Sequence, residues 1–191
     1  MFESITPVKL TQFINKFLTP MTNIIIETGS TIDKYMGDAI MAFWNAPVDE
    51  PEHAAQAVGA ALRIRAALEE LAPVWQAEAA EEGRDLPPVR IGMGLNTGDC
   101  VVGNMGSDLR FDYSCLGDTV NTASRLEGQS KMYGTDLVVS AETAALAPGF
   151  AYLELDLLQV KGKTVAVRVF TIVGGPEVAA TGEYTLVKKH I

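Results

Sequence analysis

Two pairs of residues in this chain have types and spacings that could do chemistry. In GDTVNTASRLEG, residues 117–128, Asn121 and Arg125 lie four apart, so on a helix both project from one face. An amide and a guanidinium presented together near a helix N-terminus could grip a ribose and a phosphate. The competing reading is an ordinary solvated face, which the spacing alone favours. In TIDKYMGDAIMAFW, residues 31–44, Lys34 and Asp38 stand four apart inside a largely apolar run. Burying either charge without a partner is costly, so each must reach water, a partner group or a ligand. Asp38 follows Gly37 and also reads as a turn aspartate. Lys34 also reads as a lysine snorkelling from a sheet edge.

The elements that must position these residues follow from periodicity. Leu10, Phe13, Ile14, Phe17 and Met21 predict an amphipathic helix over 8–27, ended by Gly29, and Pro20 predicts a kink or two consecutive helices. Strands at 31–36 and 39–45 flank a tight turn at Gly37-Asp38. Pro51 opens the longest helix, with Ala54, Ala57, Ala61, Ile64, Leu68 and Leu71 on its buried face and the polar AEAAEEGRD at its end. Strands at 88–95, 99–104 and 110–116 are separated by the turns NTGD and NMGSD. A helix over 118–131 is capped by Asp118. LVVS reads as a strand, followed by a short helix and a hairpin of 152–160 with 164–173 turning on Lys161-Gly162-Lys163. After Gly174 there is no clear period. The alternation predicts an α+β sandwich with helices packed on a mostly antiparallel sheet.

Composition narrows the function classes. With 191 residues, 48% hydrophobic and 20% charged, the chain reads as globular. A net charge of −9 argues against binding nucleic acid or an anionic membrane, so neither is an expected partner. The two cysteines, Cys100 and Cys115, have no metal-ligand spacing and form no disulfide framework, which predicts a reducing, cytoplasmic setting. No apolar run reaches the roughly 20 residues of a membrane span, and Met1-Phe2-Glu3 does not begin a signal peptide.

Three strings carry a family resemblance. FDYSCLGDTVNTASRLEG resembles a signature of the class III nucleotide cyclases, KYMGDAIMAFW resembles a second, and VKGK is similar to a third. They occur in the family's order, and the resemblance covers residues 5 to about 174. The chain is similar to bacterial membrane-tethered adenylate cyclases whose catalytic domain follows an extracytoplasmic sensor region. The resemblance implies a ferredoxin-like palm sandwich that converts ATP to 3′,5′-cyclic AMP and pyrophosphate at the interfaces of a homodimer, with two Mg²⁺ or Mn²⁺ ions per site. It implies a tether to the membrane upstream of this chain and a place on its cytosolic face.

The resemblance also gives residues their roles. Asp38 would hold metal ions against the triphosphate. Arg125 would neutralise the transition state at phosphorus, and Asn121 would hold the ribose. Lys161 would meet the terminal phosphates, although a solvated hairpin lysine explains it as simply. Lys34 can donate to adenine N1, whereas guanine carries a proton there and guanylate members usually place a carboxylate at this position. Register from Gly117 and Asn121 puts Ser114 at the second base-reading position, where a hydroxyl can accept from the adenine 6-amino group. Cys115 is one residue off and falls on the opposite face. Members with a hydroxyl there resemble a bicarbonate-responsive branch.

The chain departs from the pattern at its start. The family's first metal aspartate lies on a central strand of the form hydrophobic-hydrophobic-Asp, and no such segment is present. The expected organisation is therefore a cyclase catalytic domain over 1–174, truncated at its N-terminus and lacking its first central strand, with a tail over 175–191. The alternative is a catalytically inactive cyclase-like nucleotide-binding or dimerisation module. A GTP-specific relative ranks last because of Lys34.

Overall fold

The computed structural model of the chain describes residues 6–158 and 166–188. In order, its elements are α1 (Pro7–Glu27), β1 (Thr31–Met36), β2 (Ala39–Phe43), α2 (His53–Glu81), β3 (Met93–Leu95), β4 (Val101–Ser107), β5 (Arg110–Leu116) and α3 (Asp118–Tyr133). There follow β6 (Leu137–Ser140), α4 (Ala141–Leu146), β7 (Ala151–Leu158), β8 (Val167–Gly174), α5 (Pro176–Ala179) and α6 (Gly182–Lys188). The strands form a β1–β2 hairpin, a β4–β5 hairpin and a four-stranded sheet in the order β3–β6–β8–β7. Only the β3–β6 pairing is parallel, so the architecture is the α+β, mostly antiparallel one that the alternation predicts.

The centre of the sheet is β6, whose four residues are all buried. Side chains alternate along a strand. Leu137 and Val139 join Ala54, Val58 and Ala61 of α2 in one core cluster, while Val138 joins Leu126 of α3 in another. The sheet is thus sandwiched between two helices, and full burial of a side chain such as Leu126 contributes about 1.5–3 kcal/mol. Arg65 fastens α2 to the sheet. Its Nε and Nη2 donate to Asp136 at 2.6 and 2.7 Å, and its Nη1 donates to the Ile172 carbonyl at 2.9 Å.

The position of α3 depends on one glycine. A Cβ at Gly94 would lie 2.2 Å from the Ala123 carbonyl oxygen and 2.3 Å from Glu127 N, so only glycine lets β3 run this close to α3. The loop beyond is tied to the helix's first turn. Asn96 Nδ2 donates to the Thr119 carbonyl, and Thr119 Oγ1 donates to the Asp99 carbonyl, each at 2.9 Å.

A separate core, built on Met21, Ile25, Ile64, Trp75 and Leu86, holds α1 against α2. Between β2 and β3 lies a cleft of about 1350 Å³, lined by both strands, by α1 and by α3. Among the described residues, one edge of β2 and one edge of β3 are left unpaired. The strands on the two sides of this cleft belong, among the described residues, to separate sheets.

Several local expectations are corrected. Pro20 neither splits nor ends α1, which runs on as one helix because Phe13, Phe17, Met21 and Ile25 all pack into the second core. Gly117, not Asp118, takes the N-cap of α3; Asp118 is in the first turn, where its charge favours the helix N-terminus. The strand expected over 88–95 contracts to Met93–Leu95, the only stretch there with a ladder partner among the described residues. The strand expected over 99–104 starts at Val101 and runs to Ser107, through most of the expected NMGSD turn. The segment after Gly174 forms two short helices, and Tyr184 anchors it: its phenol donates to the Tyr152 carbonyl at 2.8 Å and accepts from Tyr152 N at 2.9 Å.

Candidate active site

The site begins with an irregularity in β1. Ile32 pairs with Ala42 and Lys34 with Met41, so Asp33 is an extra residue in a bulge. On a regular strand adjacent side chains point to opposite faces, but a bulge re-aims them. Here both Asp33 and Lys34 reach β5. Asp33 Oδ2 accepts from Ser114 Oγ at 2.7 Å and from Cys115 N at 3.0 Å, while Oδ1 lies 3.1 Å from Lys34 Nζ. Lys34 Nζ is also 3.5 Å from Ser114 Oγ. The Asp33 side chain is fully buried, whereas Lys34 stays 46% exposed and open to an outside partner.

Electrostatics follow from these contacts. Burial alone would raise the Asp33 carboxyl. The hydrogen bonds from Ser114 and Cys115 N, with the Lys34 ammonium beside it, outweigh burial and hold it below the usual carboxylate range. Burial pushes the Cys115 thiol up to about 11, with the Asp33 charge adding to the effect. Cys115 therefore stays a neutral thiol at physiological pH and serves through its backbone N–H.

On α3, Asn121 is exposed and Arg125 is half-buried, one turn apart. Arg125 Nη1 is buried with no hydrogen-bond partner among the described residues. A buried donor in this state costs free energy until an acceptor is supplied, so this guanidinium is poised for an anionic ligand. Asp38 lies exposed at the β1–β2 turn, which Gly37 makes possible with φ of 66°, and it lines the cleft. Among the described residues no group of three or more His, Cys, Asp or Glu is placed to hold a metal ion. Lys161 lies outside the described residues.

The structure thus brings Lys34 and Ser114 together and keeps Asn121 and Arg125 on one helix, while Asp38 lies at the β1–β2 turn on the cleft. Asp33 was missed by sequence reasoning. Its signal was an acidic residue directly beside Lys34, so Lys34 is not a lone charge in its run. The period-two rule, which sends neighbours to opposite faces, concealed the pair.

With this geometry in hand, comparison with known proteins defines the class. Residues 1–174 match the adenylate and guanylate cyclase catalytic domain, and the chain belongs to that family. It is 32% identical over 173 residues to adenylate cyclase 1 of Rhizobium meliloti, a match covering 90% of this chain and 25% of that protein. The chain thus spans about a quarter of that relative's length. Among solved structures, the adenylyl cyclase CyaB from P. aeruginosa superposes with a TM-score of 0.80 at 31% identity, covering 91% of this chain and 86% of that one. The guanylyl cyclase Cya2 superposes with a TM-score of 0.77 at 30% identity, covering 91% and 84%. Enzymes of either base preference share this fold almost equally, so the choice of base has to be argued from side chains.

Proposed function

We propose that the chain is the catalytic domain of an adenylate cyclase whose complete protein converts ATP to 3′,5′-cyclic AMP and pyrophosphate. The observation that carries the reading is the Lys34 ammonium 3.5 Å from the Ser114 hydroxyl, although the two residues are 80 positions apart. Side by side, a donor and a group able to accept match adenine N1 and its 6-amino group. Guanine presents the reverse order.

In this reading Lys34 and Ser114 hold the base, Asn121 orients the ribose and Lys161 meets the terminal phosphates. The ribose 3′-hydroxyl oxygen attacks the α-phosphorus and gives up its proton to water, the bond from that phosphorus to the bridging oxygen breaks, and pyrophosphate leaves. Arg125 faces the charge that develops at the α-phosphoryl oxygens, its Nη1, which has no partner among the described residues, finding an acceptor there. Two equivalent sites lie at a homodimer interface, with Asp38 supplied by one protomer and Lys34, Ser114, Asn121 and Arg125 by the other. Mg²⁺ or Mn²⁺ is what the family resemblance implies, and Asp38 is one carboxylate toward such an ion. Among the described residues no set of ligands converges there, so the residues present do not by themselves fit a divalent cation, and no step of this reading runs through one. No helix among the described residues is long and apolar enough to cross a membrane. The reading places the domain on the cytoplasmic side, where ATP is supplied, with any membrane-tethered sensor region upstream.

The same missing ligand set favours one alternative, a nucleotide-binding or dimerisation module without turnover. One experiment separates the two. The 191-residue chain is incubated with Mn²⁺ and either ATP or GTP, and cyclic nucleotide and bound nucleotide are both measured. Cyclic AMP above a Lys34→Glu control supports the enzyme. ATP bound without product supports the module for this chain. Cyclic GMP as the main product overturns the reading of Lys34 and Ser114.

A further inference from the structure

We propose that Asp33 sets the base preference of the site by committing the Ser114 proton, so that Ser114 faces the nucleotide only as an acceptor beside the donor Lys34. The inference rests on the ATP reading above and adds a positioning residue to it.

A serine hydroxyl carries one proton and two acceptor lone pairs, and when free it rotates to suit either kind of partner. By itself it would serve a 6-amino group or a 6-oxo group almost equally well. Ser114 is not free. Its hydroxyl donates at 2.7 Å to Oδ2 of a fully buried carboxylate, a charge-assisted bond of the strong class. The same oxygen takes Cys115 N–H at 3.0 Å, which anchors the carboxylate to the backbone of β5. With its proton committed, Ser114 offers only lone pairs. The 3.5 Å approach of Lys34 is too long to occupy them strongly.

Asp33 has a second effect. Its Oδ1, 3.1 Å from Nζ, holds the Lys34 ammonium beside Ser114 while nearly half of that side chain remains open. The pair then offers one donor and one acceptor in fixed order. Adenine satisfies both. Guanine would set its N1–H against the ammonium and its O6 against the Ser114 lone pairs, two mismatches that leave polar groups unpaired. The bulge at Asp33 makes the arrangement possible, because a regular strand would turn this carboxylate away from Lys34.

The competing explanation is a plain structural clamp, since Asp33 also bridges two hairpins that share no ladder. Selectivity separates the two, because a clamp would weaken ATP and GTP binding alike. The test is displacement of a fluorescent ATP analogue from the 191-residue chain by ATP and by GTP, with thermal melts recorded in parallel. The variants are Asp33→Ala, Asp33→Asn, Ser114→Ala and the double Asp33→Ala/Ser114→Ala. The expected result is a wild-type preference for ATP that falls about tenfold in Asp33→Ala and about as far in Ser114→Ala, the size of one lost hydrogen bond of this kind. The double variant should fall no further than either single. Asp33→Asn, whose amide oxygen still accepts from Ser114, should keep most of the preference.

An unchanged ATP-to-GTP ratio in Asp33→Ala overturns the inference and leaves the ATP reading standing. A wild-type chain with no preference for ATP overturns both. If Asp33→Ala does not fold, Ser114→Ala still puts the proposal at risk, because it keeps Asp33 bound to Cys115 N; an unchanged ratio there overturns the proposal together with the base-reading role of Ser114.

Discussion

Asp33 and Ser114, 81 residues apart in sequence, meet at 2.7 Å through a hydroxyl-to-carboxylate hydrogen bond. That contact joins the β1–β2 hairpin to the β4–β5 hairpin, which share no backbone ladder. One buried carboxylate is therefore both a strut between two parts of the fold and a neighbour of the lysine proposed to read the base.

The strut gives stability a pH dependence with a definite sign. The Asp33 carboxyl is held below its ordinary 3.8 in the folded state. A carboxylate shifted this way contributes stability that is complete above its unfolded value and is lost as pH falls through its folded value. Urea denaturation of wild type and Asp33→Asn should show a gap in stability at neutral pH that closes as pH drops from about 5 toward about 2. A gap of constant width across that range would mean that the carboxylate's charge is not what stabilises the contact.

Reversing the charge at Lys34 should damage ATP binding far more than folding predicts. Lys34→Glu sets a second carboxylate against Asp33 and removes the donor for adenine N1, so ATP affinity should fall by at least about tenfold. Lys34→Met, neutral and unbranched, should lose ATP affinity while melting near wild type. Titration calorimetry with both variants checks this. Undiminished ATP binding in Lys34→Met would remove Lys34 from the site.

Arg125→Ala should separate stability from chemistry. Arg125 Nη1 is buried without a partner among the described residues, so the substitution removes no hydrogen bond of that nitrogen to any of them. The melting temperature should stay within about two degrees of wild type or rise, since a ΔΔG near zero moves it little. Cyclic AMP formation should drop on the order of a thousandfold, as when other arginine clamps on phosphoryl transfer are removed. A large fall in melting temperature would point instead to a structural arginine.

Gly94→Ala tests the placement of α3. Its methyl group would meet the Ala123 carbonyl and Glu127 N at 2.2 and 2.3 Å, both backbone atoms that cannot swing aside. Overpacking of this sort costs about 1–3 kcal/mol, and the helix that carries Asn121 and Arg125 would be pushed away from β3. Chemical denaturation should register the cost, and nucleotide affinity should fall with it. Wild-type stability would show that α3 shifts freely and is not positioned by this contact.

Much of this was legible in the sequence, for reasons that can be traced. The apolar spacing of α1 and α2 marked their buried faces, and LVVS announced the fully buried β6. The cyclase motifs pointed to Lys34, Asp38, Ser114, Asn121 and Arg125 as candidates, and in the structure Lys34 Nζ lies 3.5 Å from Ser114 Oγ. The rest was hidden because it depends on pairings between distant segments. The bulge at Asp33 is set by the β1–β2 register, which a period-two reading assumes to be regular. The shortness of β3 reflects a lack of ladder partners, not a lack of strand-forming residues. The anchoring of the tail by Tyr184 needs a β7 carbonyl that no local pattern reveals.

The interrupted sheet also governs how the chain behaves at the bench. Among the described residues, the open edges of β2 and β3 present rows of unpaired backbone donors and acceptors beside an apolar cleft, a template for strand pairing between molecules. The net charge of −9 opposes that encounter, and it does so through a field that added salt screens within about 10 Å at 0.1 M. Colloidal stability should therefore be greatest in dilute, low-salt buffer and decline as ionic strength rises, even while each molecule stays folded.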